Sequence, residues 1–458
     1  SDLHSEVLKR IEDVSFLRSV QFKEDAGPTS HPVKPNEYLS IDNFYTTTIY
    51  EKGAELIRML YTLLGNENFF IGIENYIKLY DGYATTTENF ISAVTEKIIT
   101  SNQSINFNIN QFKDWYYQNG TPSISIRREW EPNLGKLKLI ISQSNNNNTS
   151  KTHQKPLVIP IRLSLLSQSG CNNEKLLILD KPEQIFYFDD LPVNKKAPVL
   201  SLFRKFSAPV KWTSDLSLDE QFFLVNNDND YFSRWDSLQN ILHHALIERA
   251  TNRPSKNVEE SLIDSYKNLI AEFRETDLDF LSSLLFVPSV QELELHQKLI
   301  DPISLSQSRS YFCSLIGTVL SSSLIELLDK CYKYSDLPWP KGQGARRLIE
   351  VIWSLLLLSG NLDIRNEALR SIGSPSMTMV KAALNALSPI NCIERDKAMK
   401  QFYKRWKSNP IVLDTWFGLE SSIPRANSLD IVNTLFKHPL FDPLAPNSIR
   451  AVLGGFAR

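Results

Sequence analysis

Apolar residues recur at three- and four-residue intervals up to about residue 119, at every second residue from about 121 to 206, and at helical intervals again from 218 onward. The strongest helical stretch is 51–64, where Leu56, Ile57, Leu60, Leu63 and Leu64 form one stripe and Glu51, Glu55 and Arg58 are left to face water. Ahead of it, Val7, Ile11 and Val14 mark a first helix. The polar, proline-containing run from Gln21 to Pro28 and the pairs His31-Pro32 and Lys34-Pro35 predict an extended loop. Behind it, residues 68–79 are aromatic and helical in period, and Asp81-Gly82 marks a turn. Thr87 caps a helix within 85–98, and Phe112, Trp115 and Tyr116 close a last helix before Asn119-Gly120-Thr121-Pro122 breaks the pattern.

The alternation that follows, Ile124 and Ile126, Leu137 and Leu139, then Ile159, Ile161, Leu163 and Leu165, predicts a small antiparallel β unit with one apolar face. Further strands are expected over 176–179, 184–188 and 199–206, with the unit ending near Pro209-Val210. The polar run 143–150, rich in asparagine, reads as an exposed loop tip. Its Asn-x-Thr/Ser matches would matter only in a secreted protein. From Leu218 on, helical segments are expected over 222–225, 235–250, 258–273, 290–299, 310–334, 348–358, 377–387, 395–406, 411–419 and 428–436. Short loops divide them without a strict repeat, which predicts an irregular α-solenoid in which each pair buries its apolar face against the next.

Composition narrows the functional classes. In 458 residues, 50 basic side chains against 52 acidic ones leave a net charge of −2, so no global field recruits nucleic acid or an anionic membrane. No uninterrupted apolar run reaches the length of a membrane span, and the opening residues Ser1 to Glu6 lack the zones of a signal peptide, so a cytoplasmic setting is expected. Cys171, Cys313, Cys331 and Cys392 have no paired spacing and read as reduced, mostly buried thiols.

Candidate chemistry sits where the aromatic run Phe44-Tyr45-Thr46-Thr47-Thr48-Ile49-Tyr50 enters the strong helix. Unpaired amides and the positive dipole end at a helix start favour an anion or a developing oxyanion, to which a phenol could donate a hydrogen bond. Tyrosines at such entries more often pack, with the hydroxyl on a backbone carbonyl.

The wording of this run, Asn43-Phe44-Tyr45 through Tyr50-Glu51-Lys52-Gly53-Ala54-Glu55, resembles the segment that follows the zinc site in bacterial-type aminopeptidase N, a family of thermolysin-like (gluzincin) zinc metalloaminopeptidases. Similar stretches recur in order: Gln21-Phe22-Lys23-Glu24-Asp25-Ala26, His31-Pro32, Phe112-Lys113-Asp114-Trp115-Tyr116, Gly120-Thr121-Pro122, Phe206-Ser207-Ala208-Pro209-Val210, Asp230 to Asp236, Leu285 to Val290 and Asp301-Pro302-Ile303. The resemblance implies a multidomain α+β chain: the helical remainder of a thermolysin-like catalytic domain over 1–119, a β-sandwich over 120–212, and a large all-α superhelical domain over 213–458, truncated at its C-terminus. It further implies that Tyr50 stabilises the oxyanion of the tetrahedral intermediate, that Tyr45 lines the pocket for the first side chain, and that Arg450 faces the inner cavity. Arg450 could equally pair a nearby carboxylate. Implied too are one zinc ion, short peptides of broad sequence as substrates, and a monomeric state.

The family's His-Glu-x-x-His ligands, its third-ligand glutamate and its Gly-x-Met-Glu-Asn segment do not occur in this sequence. None of His4, His31, His153, His243, His244, His296 and His438 stands four residues from another histidine, so no metal ligand is assigned. Residue 1 is expected to fall shortly after the third ligand, which leaves the chain inactive by itself. Two readings result: part of a zinc aminopeptidase, or a non-catalytic helical scaffold derived from one. An in-frame His-Glu-x-x-His immediately upstream would separate them.

Overall fold

Val14, Leu17 and Phe22 are all buried, on α1 (Glu6–Phe16), a wide π-helical turn (Leu17–Gln21) and α2 (Phe22–Ala26), which follow one another without a break. The computed structural model describes residues 5–100, 105–145, 155–167, 170–171, 174–193, 195–294, 299 and 301–457. Gln21 to Ala26 is therefore helix rather than extended loop. The polarity that suggests a loop belongs to buried, bonded groups, since Gln21 and Asp25 are both inaccessible to solvent. The chain divides into two units, residues 9–238 and residues 1–8 with 239–458.

In the first unit a 3₁₀ turn (Ile41–Phe44), capped by Ser40 and Asn43, precedes a second π-turn (Thr48–Lys52) that runs directly into α3 (Gly53–Leu64). Next come α4 (Asn66–Tyr80), α5 (Thr87–Thr100) and α6 (Ile109–Tyr117). The α3 stripe is built on Leu56, Met59, Leu60 and Leu64, with Ile57 and Leu63 only half-buried. Glu55 corrects the expectation of a solvent-facing residue. It is buried, and both carboxylate oxygens accept from the Arg10 guanidinium, Nη1 to Oε1 at 2.6 Å. Arg10 also donates to the Lys205 and Phe206 carbonyls, at 3.0 Å each.

Among the described residues eight strands follow: β1 (Ser123–Glu131), β2 (Lys136–Ser144), β3 (Ile159–Ser167), β4 (Gly170–Cys171), β5 (Lys175–Leu179), β6 (Glu183–Phe188), β7 (Val199–Leu202) and β8 (Lys211–Ser214). One sheet has the order β6-β2-β1-β8; in the other, β3 pairs with β4, β5 and β7. Every pair is antiparallel except β1 with β8, which is parallel, so the sheet is mixed and continues past Pro209-Val210. The strand expected over 199–206 ends at Leu202, because Phe203, Lys205 and Phe206 adopt positive φ of 50–55°. Residues 146–150 of the polar loop lie outside the described residues. The inward faces of both sheets share one core with α3 to α6: Ile124, Leu139, Ile161, Leu163 and Leu200 belong to the same cluster as Leu60, Phe112 and Trp115. The indole of Trp115 donates to the Val158 carbonyl at 2.8 Å, and Gln111 reaches the Pro156 and Asp180 carbonyls.

Beyond α7 (Leu218–Asn227) and α8 (Tyr231–Ala250), the second unit is a succession of helices: α9 (Lys256–Phe273), α10 (Leu278–Leu285), α11 (Val290–Glu294), α12 (Pro302–Val319), α13 (Ser321–Ser335), α14 (Gln343–Leu358), α15 (Leu362–Ser371), α16 (Met377–Leu387), α17 (Ile393–Trp406), α18 (Pro410–Ser422), α19 (Ser428–Phe436) and α20 (Pro446–Phe456). α14 is its axis, touching α10, α12, α13, α15 and α16. The segment expected over 310–334 is two helices, bent by 81° at Leu320. α10, α15 and α20 add to the segments read from the period. Among the described residues, no single helix is long and apolar enough to cross a membrane. Cys313 and Cys331 are buried free thiols, and burial pushes Cys331 up to about 12; Cys392 is also free.

Candidate active site

Three threonines in a row have hydroxyls that must find partners, and they start the Tyr50 turn. Thr46 caps it locally: its Oγ1 accepts the Ile49 amide at 3.3 Å, and its carbonyl accepts the Tyr50 amide at 3.2 Å. The next two threonines turn to a separate helix. Glu24 Oε2 accepts the Thr48 amide at 2.9 Å, the Thr48 hydroxyl at 3.0 Å and the Thr47 hydroxyl, while Gln21 Nε2 donates to Thr48 Oγ1 at 3.3 Å. The carboxylate of Glu24 thus occupies the positive end of the helix, the place where an anion is best stabilised. Tyr50 lies one turn further in, with its amide already used. The group that Tyr50 leaves free is therefore its phenol and not a backbone amide.

The far side of the turn is held as firmly. Gly53 donates to the Thr48 and Tyr50 carbonyls. Lys52, fully buried, donates to Asp25 Oδ2 at 3.0 Å and to the Gly120 carbonyl at 2.8 Å, and the Thr121 hydroxyl donates to the same Asp25 oxygen at 3.0 Å. Consecutive acids of α2 therefore grip the two sides of one π-turn, Glu24 ahead of Tyr50 and Asp25 behind it. The loop after α2 is tied down too. His31 Nδ1 donates to the Pro32 carbonyl at 2.8 Å, which leaves Nε2 3.9 Å from Glu24 Oε1. Lys34 donates its amide to the Tyr116 carbonyl at 2.8 Å and its ammonium to Glu88 at 2.6 and 2.7 Å.

Against this fixed backbone the two tyrosine side chains are open. Tyr50 is 60% exposed and Tyr45 67%, and among the described residues neither hydroxyl has a hydrogen-bond partner. Neither is the packing tyrosine common at helix entries. Tyr45 leaves the 3₁₀ turn with its amide on the Asp42 carbonyl, beside the edge-to-face pair Tyr38–Phe44, whose centroids are 4.5 Å apart. In the other unit, Arg450 is exposed on α20 and reaches Asn447 Oδ1 at 3.5 Å. No carboxylate among the described residues pairs with it.

Three family descriptions match successive parts of the chain: the peptidase family M1 domain over 6–116, a domain of unknown function (DUF3458) with an Ig-like fold over 120–215, and a domain of unknown function (DUF3458_C) with ARM repeats over 218–458. The whole chain aligns with aminopeptidase N of Escherichia coli K12 at 31% identity and of Caulobacter vibrioides at 33%, covering 53% and 52% of those proteins. The chain belongs to the aminopeptidase N family. It spans about half the length of these curated relatives. A crystal structure of Legionella pneumophila aminopeptidase A in complex with aspartic acid superposes with a TM-score of 0.80 at 26% identity, over 92% of this chain and 48% of that one.

The zinc implied by the resemblance to aminopeptidase N finds no fitting set of side chains here. Among the described residues, no three of His, Cys, Asp and Glu converge to hold a metal ion. His31 is committed to Pro32, His438 accepts the Leu440 amide and bonds the Tyr403 hydroxyl at 3.2 Å, and His243 and His244 lie on α8, half-buried and exposed. His4, His153 and His296 lie outside the described residues. Sequence reading missed Glu24 and Asp25 as partners of the Tyr50 turn. The available signal was the triple threonine, whose hydroxyls lack an acceptor within their own helix.

Proposed function

We propose that this chain supplies the oxyanion donor of a peptidase that removes N-terminal residues from short peptides. The observation that carries the reading is a phenol with no partner of its own, on a turn whose backbone is bonded on both sides. A donor held ready in this way costs little reorganisation when charge develops on the substrate oxygen. As water adds to the scissile carbonyl, negative charge grows on the former carbonyl oxygen. The Tyr50 hydroxyl donates to that oxygen, and the bond strengthens from ground state to transition state, which raises kcat more than it lowers KM. Tyr45, exposed five residues earlier, lines the pocket for the first side chain, and Arg450 is proposed as a substrate-facing cation. Among the described residues, no cluster of His, Cys, Asp and Glu is placed to hold a metal that would activate the attacking water. A cytoplasmic setting accords with the free Cys313, Cys331 and Cys392, and a monomeric enzyme is part of the same proposal.

The deciding experiment compares hydrolysis of alanine and leucine anilides, with zinc added, by the 458-residue chain and by the gene product expressed from its natural start to its natural stop. Activity is expected in the latter, and Tyr50→Phe should lower kcat by about 10²–10³-fold, the usual loss for one oxyanion donor. A folded gene product that cleaves neither anilide would overturn the peptidase reading and leave the helical scaffold as the function to test.

A further inference from the structure

We infer that Glu24 is a positioning residue for Tyr50, acting through the π-turn rather than on the substrate; the inference rests on the oxyanion reading above. A π-turn holds one residue more than an α-helical turn and is seldom stable by itself. Relaxation of Thr48–Lys52 to α-helical winding would swing the residues ahead of α3 by about 100° around the helix axis, the rotation of one residue. Helix capping alone does not account for Glu24, because only one of the bonds to its Oε2 comes from an amide, that of Thr48, and the other two come from the Thr47 and Thr48 hydroxyls. The three bonds of Glu24 Oε2 instead fix Thr47 and Thr48, the residues two and three positions ahead of Tyr50. The Asp25–Lys52 pair fixes the residue two positions behind it. Between these anchors the turn has one winding available, which fixes where the Tyr50 side chain leaves the backbone.

The test is a double-mutant cycle in the full gene product with an alanine anilide. Glu24→Ala should lower kcat by about 10- to 10²-fold, the scale of a misplacement near 1 Å, and leave KM within about twofold, as expected for an interaction made only in the transition state. In a Tyr50→Phe background the same substitution should cost almost nothing further, because the hydroxyl it positions is gone. Glu24→Gln, which keeps an acceptor oxygen, should recover part of the loss, and Thr47→Val should show a smaller loss of the same kind. Equal losses from Glu24→Ala with and without the Tyr50 hydroxyl, or an unchanged kcat beside a depressed Tyr50→Phe, would overturn the inference and leave the oxyanion reading standing. An undiminished Tyr50→Phe would sink the reading, and the inference with it. Should Glu24→Ala fail to fold, Glu24→Gln and Thr47→Val decide through the same cycle.

Discussion

Lys34 and the Tyr117 hydroxyl both donate to the Glu88 carboxylate, and these bonds pull its pKa from the ordinary 4.5 down to about 2. A carboxyl whose folded pKa is depressed contributes stability above its unfolded value and loses it as pH falls through the window between the two. Glu88→Gln should therefore lower the melting temperature at pH 7, and the difference from wild type should shrink from about pH 4.5 downward and vanish near pH 2. Melting curves at a series of pH values check this; a difference that persists unchanged to pH 2 would remove Glu88 from the acid response. At this scale the sequence picked out candidate side chains but not the ones that hold their backbone. Tyr45 and Tyr50 stood out through their neighbours, yet the Glu24–Thr48 and Arg10–Glu55 contacts join residues 24 and 45 positions apart. Glu55 looked solvent-facing because a local period cannot see an arginine arriving from another helix.

Elements were legible where their faces differ and obscure where they do not. The stripe of α3 gave its span, whereas α10 is only eight residues long and buries its polar Asp279 and Ser282 together with its apolar positions. The bend between α12 and α13 was invisible because the apolar period continues through it. Packing between elements depends on small residues as much as large ones. A Cβ on Gly317 of α12 would lie 2.2 Å from the Leu355 carbonyl oxygen of α14, so the two backbones meet without room for a methyl group. Gly317→Ala should destabilise by about 1–3 kcal/mol, the usual cost of overpacking. Denaturant unfolding at unchanged slope would report it, and a midpoint equal to wild type would show that α12 can shift freely.

For residues 9–238 taken as a whole, the stretch 119–122, where the sequence pattern breaks, is a turn in the chain and not a gap in the core. Phe112 and Trp115 on one side and Ile124 and Ile126 on the other belong to one buried cluster. Amides of α3, α6 and β2 should accordingly lose protection from hydrogen exchange together in rising denaturant, as one cooperative unit. Exchange in β2 well before α6 would show two units instead. This continuity also bears on how such a protein can change over generations. The Gly120 carbonyl and the Thr121 hydroxyl complete the buried Lys52–Asp25 pair, two residues from the Tyr50 phenol. A recombination event that imported a different sandwich at this junction would have to bring the same carbonyl and hydroxyl with it, or loosen the turn that carries the tyrosine. The β-sandwich and the turn that carries Tyr50 are in this sense inherited together.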